Sequence, residues 1–213
     1  GFSDQGTQNR FYSIWMQITE RFKSYPAKLM FEILNEPQDL SVANTNKLNQ
    51  KVLNIIRSQT SNRLVIYSGN EWSNIDRLIA AKIPDQNDDF LIANFHSYDP
   101  WAFAGECVNS WGIDDDKAQL RAIYQKAFDW SQSNNMPIMV NEFGVAKYDF
   151  TKPENVCNQA DREQYLVTHV ALANEFGIAA TFWDDGGSFS TYNREENIWG
   201  PEKDILVSHN VRE

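Results

Sequence analysis

The 213-residue sequence predicts an α/β fold of the (β/α)8 TIM-barrel type, with about five of the eight β/α units in this chain. Three observations point to it. Apolar runs of strand length alternate with helix-length amphipathic segments, which implies a parallel sheet joined by crossovers of one hand. The conspicuous polar residues fall at the C-terminal ends of the strands, where barrel enzymes keep their chemistry. No Gly-rich phosphate loop follows any strand, so an open nucleotide-binding sheet has little support. Five strands cannot close a barrel of eight, and the first and last would leave backbone edges unpaired.

The elements follow in order. "NRFYSIWMQITERFKSY" (9–25) spaces Phe11, Ile14, Trp15, Ile18 and Phe22 at helical intervals, and "LMFEIL" (29–34) is the strand after it. "SVANTNKLNQKVLNIIRSQTS" (41–61) is a second helix, with Ser41 or Asn44 as its N-cap and Leu48, Val52, Ile55 and Ile56 on one face. "RLVIYSG" (63–69) is a strand with Trp72 in the loop beyond; a short helix over 76–81 precedes the strand "DFLIANFHSYDP" (89–100). The acids opening "DDDKAQLRAIYQKAFDWSQSN" (114–134) suit a helix N-terminus, and "PIMVNEFGV" (137–145) is the next strand. "ADREQYLVTHVALANEFG" (160–177) ends on Gly177 as a C′ residue, "IAATFWDDGG" (178–187) is the last strand, and the tail holds a short helix over 204–208. With no repeat, linker or low-complexity stretch, residues 1–213 read as a single domain.

Composition narrows the function. A formal charge of −10 disfavours nucleic acid and anionic membranes, which are themselves negative, and leaves a neutral ligand as the simpler partner. No apolar run is long enough to cross a bilayer, and no basic-then-apolar leader opens the chain at Gly1, although one could have been removed upstream. Cys107 and Cys157, the only cysteines, lie in polar loop-like surroundings and fit either one disulfide or two free thiols. Seven tryptophans is a high count for this length. Trp72, Trp101, Trp111 and Trp199 fall in loop-like segments, where they either pack beneath loops or offer flat faces to the C–H faces of a sugar.

Two glutamates occupy equivalent positions. Glu36 follows "EILN" and Glu142 follows "IMVN", each after an Asn at the end of an apolar strand and 106 residues apart. Strand ends of one parallel sheet face one cleft, and paired carboxylates are what glycoside hydrolysis needs: a neutral acid for the leaving oxygen and an anion for the oxocarbenium-like centre. Glu36 alone would read as a solvated loop acid. With Glu142, and with His96, Tyr98 and Trp183 at neighbouring strand ends, the catalytic reading is the stronger one. Glu32 alternates inward with Glu36 and is expected to be a hydrogen-bonded core acid.

"FEILNEP", "HSYDP", "VNEFG" and "TFWDDGG", in that order, resemble the fourth, sixth, seventh and eighth strand ends of glycoside hydrolase family 5, the large cellulase family among the retaining (β/α)8 glycosidases. The resemblance implies that Glu36 is the general acid/base and Glu142 the nucleophile. It further implies that Asn35 bonds the sugar 2-hydroxyl, that His96 lies near the acid/base, and that Tyr98 donates its hydroxyl to Glu142. Trp183 would be the platform at the cleavage point, followed by a cis peptide to Asp184. Trp72, Trp101 and Trp111 are candidates for outer subsites.

No cofactor and no metal are expected. His96 as a metal ligand is a weak rival, since His169 falls in a helix and His209 in the tail without ligand spacing. The family's domain begins about three β/α units earlier, and "GFSDQGTQNRF" resembles the loop after its third strand, so the chain would be the C-terminal portion of a barrel, strands four to eight. An N-terminal segment or a second copy would then complete it. The implied activity is a secreted, retaining endo-β-1,4-glucanase on cellulose or mixed-linkage glucan. The alternatives are xyloglucanase, xylanase or mannanase specificity, or an inactive carbohydrate-binding remnant.

Overall fold

A computed structural model describes residues 4–208. The elements run α1 (Gln5–Phe22), β1 (Phe31–Glu32), α2 (Val42–Arg57), β2 (Val65–Ser68), α3 (Ile75–Ala80), β3 (Leu91–Ser97) and α4 (Trp101–Ala104). They continue with α5 (Asp114–Asn134), β4 (Ile138–Phe143), α6 (Gln159–Phe176), β5 (Ala179–Phe182), β6 (Tyr192–Asn193), β7 (Ile198–Trp199) and α7 (Glu202–Ser208). Five strands form one parallel sheet in the order β1-β2-β3-β4-β5, each beside its neighbour in sequence. Consecutive strands with intervening helices are the barrel pattern, and the chain carries five β/α units of a partial (β/α)8 barrel. Gly1–Ser3 and the tail containing His209 lie outside the described residues.

Two compact units divide the chain. The first comprises Gly1–Phe95 and Trp130–Met139. Its α1 starts at Asp4, whose Oδ2 accepts from Thr7 N at 2.7 Å, and buries Trp15 and Thr19. Ile14, placed on the apolar face by its spacing, is 46% exposed, because the buried line runs through positions 15 and 19, one turn apart. Trp15 packs 5.8 Å from the Phe31 ring and donates Nε1–H to Ile33 O at 3.2 Å. The first strand is shorter than its apolar run: Phe31 N and Ile33 N bond to Leu64 O and Ile66 O, and the chain then turns.

Ser41, not Asn44, caps α2, accepting from Asn44 N at 3.2 Å, and Leu48, Val52 and Ile56 are fully buried. Arg63 is buried beside the turn between α1 and β1. Its guanidinium donates to the carbonyls of Pro26, Leu29, Phe22 and Tyr25 at 2.6–3.0 Å, so one charge satisfies several acceptors that helix and strand leave over.

The second unit comprises His96–Asp129 and Val140–Glu213. Cys107 and Cys157 form a disulfide across 50 residues, which resolves the open pairing. Helix α6 is capped by Asn158 Oδ1, which accepts from Ala160 N and Asp161 N, and ends on Gly177 at φ 66°, the left-handed turn that the sequence predicts. Arg162 and Glu202, both almost fully buried, pair at 2.7 Å and fasten α7 to α6.

Trp111 is a core residue, 3% exposed, stacked on Phe103 and edge-on to Tyr165. It therefore offers no face to a sugar, and its candidacy as a subsite falls. The β6-β7 hairpin is an addition that the sequence did not announce, its strands being two residues each. Along β5 the side chains of Ala179, Ala180 and Thr181 are exposed.

Candidate active site

The end of β1 places Asn35 in solvent and Glu36 half-buried, ahead of a buried Pro37. Glu36 has φ 42°, in the left-handed region that a β-carbon disfavours, so its backbone is held by what surrounds it. Part of that hold is Glu71 N bonding to Pro37 O at 2.7 Å, which ties the loop after β2 to the loop after β1. In the loop after β2, Glu71, Trp72 and Ser73 all have positive φ, and Trp72 is left 58% exposed. Glu32, at the end of β1, is half-buried, and its Oε1 accepts from Asn94 Nδ2 at 3.4 Å. The hydrogen bond is the one expected of it, but the side chain is half-buried and not the core acid that the alternation predicts.

In the second unit three predicted residues come together. Tyr98 donates its hydroxyl to Glu142 Oε2 at 2.9 Å, and His96 Nδ1 lies 3.5 Å from the same oxygen. A hydroxyl donor and an imidazole thus converge on one carboxylate oxygen, and the hydroxyl orients it. His96 is buried, being the inward side chain near the end of β3, whereas Tyr98 and Glu142 are half-buried at the strand ends. Trp101, 45% exposed, meets the Tyr98 ring edge-on at 6.1 Å.

Trp183 follows β5, with its N–H bonded to Phe143 O at 2.9 Å and its side chain 43% exposed. The Trp183–Asp184 peptide is trans: among the described residues only Asp99–Pro100 is cis. The expected strained bond is therefore absent. Beyond it the loop turns through the Asp184 carboxylate, which accepts from Gly186 N at 2.8 Å and from Thr191 N and Oγ1 at 2.8 and 2.9 Å. Burial pushes the Asp184 carboxyl up, but these donors outweigh it and hold the group below the ordinary carboxylate range.

Sequence reasoning missed the loop that Asp184 and Asp185 organise, and with it Phe189, a buried ring against Tyr98 and Trp101. The available signal was the Asp-Asp-Gly-Gly run, whose carboxylates cap backbone N–H groups two to seven residues on.

Comparison with known proteins bears on the family and the fold. The family model for cellulase (glycosyl hydrolase family 5) matches residues 2–188. Endoglucanase H of Acetivibrio thermocellus is 32% identical over 204 residues, which cover 92% of this chain and 22% of that protein. Endoglucanase A of Clostridium longisporum is 29% identical, with 92% of this chain and 41% of that protein covered. Among solved structures, Thermotoga maritima Cel5A in complex with cellobiose matches with a TM-score of 0.86 at 25% identity, over 97% of this chain and 67% of that one. A tri-modular endo-β-1,4-glucanase of subfamily 4 from Bacillus licheniformis matches with a TM-score of 0.84 at 28% identity, over 96% of this chain and 39% of that one. The chain spans 22–41% of the length of the first curated relatives. On its motifs, its sheet and a family match across most of its length, the chain belongs to the cellulases of glycosyl hydrolase family 5.

Proposed function

We propose that this chain is the C-terminal portion of the catalytic domain of a retaining endo-β-1,4-glucanase acting on cellulose or mixed-linkage glucan. Glu36 protonates the glycosidic oxygen as Glu142 attacks the anomeric carbon, so the C–O bond to the leaving sugar breaks and a glycosyl ester to Glu142 forms. Glu36, now a carboxylate, takes a proton from water, whose oxygen displaces Glu142 with net retention. Asn35 bonds the 2-hydroxyl, Trp183 carries the sugar at the cleavage point, and Trp72 and Trp101 serve outer sugars. The mechanism takes no metal or cofactor.

The observation that carries this reading is the Tyr98–Glu142 hydrogen bond at 2.9 Å, with His96 on the same oxygen. A nucleophile must stay anionic and aimed, and a phenolic donor does both. Family membership supports the pairing with Glu36, and the endoglucanases among the relatives support a glucan substrate, while one structural relative is complexed with mannotriose as well as with cellobiose, which keeps the mannanase alternative open to the same test. An insoluble or polymeric substrate implies secretion. The exposed side chains of β5 fit completion of the barrel by further β/α units, from a preceding segment or a second copy.

The test is hydrolysis of barley β-glucan and carboxymethylcellulose, by the chain alone and with the preceding β/α units added. Glu142→Gln should abolish turnover while binding of cello-oligosaccharides persists. Glu36→Gln should cost about 10²–10⁴-fold on glucan. With 2,4-dinitrophenyl β-cellobioside, whose leaving group needs no proton, that variant should keep its first step. Wild-type turnover in Glu142→Gln would refute the assignment. Binding without turnover under both conditions would favour the carbohydrate-binding alternative.

A further inference from the structure

We propose that Phe189 is a positioning residue for the reaction, its ring holding Tyr98 in the one orientation that keeps the Tyr98 hydroxyl on Glu142. The inference rests on the reading of Glu142 as the nucleophile.

Three rings are in mutual contact. Phe189 is 6% exposed and meets the Tyr98 ring edge-to-face at 5.7 Å and 82°. It stacks on Trp101 at 6.4 Å and 21°, and Trp101 in turn lies edge-on to Tyr98, so each of the three rings touches the other two. The ring also lies close to Gly144, two residues beyond Glu142. A β-carbon at position 144 would come within 3.2 Å of Phe189 Cδ1, so the bare backbone there gives the ring its seat.

The loop that carries the ring is itself clamped. Asp185 Oδ1 accepts from Gly187 N at 2.6 Å and from Phe189 N at 2.9 Å. Lys147 N donates to Ser188 O at 2.7 Å, and Lys147 Nζ reaches Ser190 Oγ at 3.3 Å, so the loop after β5 is fastened to the segment just after β4.

Why this bears on the reaction follows from lever length. A tyrosine hydroxyl stands at the far end of its side chain, so a few degrees at χ1 move it by a large part of an ångström, and hydrogen bonds weaken steeply with distance and angle. Tyr98 is half-buried, so its orientation depends on the side chains packed against it. Edge-to-face packing by Phe189 restrains that motion.

The test reads Glu142 directly, by NMR pH titration of the chain with ¹³C-labelled glutamate side chains; the Glu142 signal is the one lost in Glu142→Gln. Tyr98→Phe should raise the Glu142 midpoint by about one pH unit, the loss of one hydrogen bond to a charged group. Phe189→Ala should raise it by at least half as much. Tyr98→Phe combined with Phe189→Ala should go no further than Tyr98→Phe alone, because both act through one bond. Phe189→Leu keeps most of the volume and should shift the midpoint in the same sense by less; if the alanine variant does not fold, this variant decides.

A wild-type midpoint in the folded Phe189 variants, no shift in Tyr98→Phe, or full additivity in the double variant would overturn the proposal. The functional reading fails separately, if Glu142→Gln hydrolyses glucan at the wild-type rate.

Discussion

At the scale of single residues, burial divides tryptophans that sequence position treats alike. Trp111 and Trp72 both follow strand and loop signals, yet Trp111 is 3% exposed against Phe103 and Tyr165, while Trp72 is 58% exposed on a turn of three positive-φ residues. Trp111→Ala should therefore cost about 3–5 kcal/mol in urea unfolding, by lost burial and the cavity left behind. Trp72→Ala should stay within about 0.5 kcal/mol of the parent and weaken retardation in gels containing β-glucan. Equal destabilisation by both would contradict the division. That Tyr98 and His96 meet Glu142 was legible because the motifs set all three at neighbouring strand ends. Phe189 was not, because its role comes from a loop folded by the Asp184 and Asp185 carboxylates, and ring-to-ring contact leaves no local pattern.

At the scale of elements, α6 carries a buried ionisable group with a calculable consequence. His169 is fully buried, its Nδ1 3.0 Å from the Tyr124 hydroxyl and its ring stacked on Phe143, and burial pushes the imidazole down to about 3. The unfolded chain, with an ordinary value of about 6.5, takes up a proton that the folded chain refuses. Stability from this group is complete above pH of about 6.5 and is lost as pH falls toward 3, at about 1.4 kcal/mol per unit. Between pH 7.5 and 5 the parent should lose about 2 kcal/mol more than His169→Gln in urea unfolding; parallel pH profiles would contradict this.

The long elements were readable: α5 spans the predicted 114–134, and α6 ends at the predicted glycine. Apolar periodicity and caps are local signals. The β6-β7 hairpin was not readable, since two-residue strands have no period, and the left-handed Asn197 that shapes its turn sits in an otherwise charged run. Ile14 misled because its spacing fits a helix face, but which face is buried depends on Phe31 and Ile33, outside the helix.

At the scale of the whole molecule, the strand order β1-β2-β3-β4-β5 and the family match describe five units of an eight-unit fold. The second unit has a covalent tie that the sequence left open. A disulfide closing 50 residues removes unfolded-chain entropy amounting to roughly 4 kcal/mol in the chain-entropy model. Replacing Cys107 and Cys157 together by serine should lower stability by about 2–4 kcal/mol, read as a shifted urea midpoint with circular dichroism unchanged in native buffer. An unchanged midpoint would show that the tie contributes nothing. Closure of a barrel was beyond local reading, because it depends on strands that no motif in these residues specifies.

The central claim is that Glu142 is the nucleophile of a retaining glycosidase. Its most direct test is trapping with a 2-deoxy-2-fluoro-β-cellobioside bearing a good leaving group, whose fluorine slows breakdown of the glycosyl ester. Peptide mass mapping should find a single 2-fluorocellobiosyl adduct on Glu142, absent from Glu142→Gln. An adduct on another carboxylate, or hydrolysis with inversion and no adduct at all, would contradict the account.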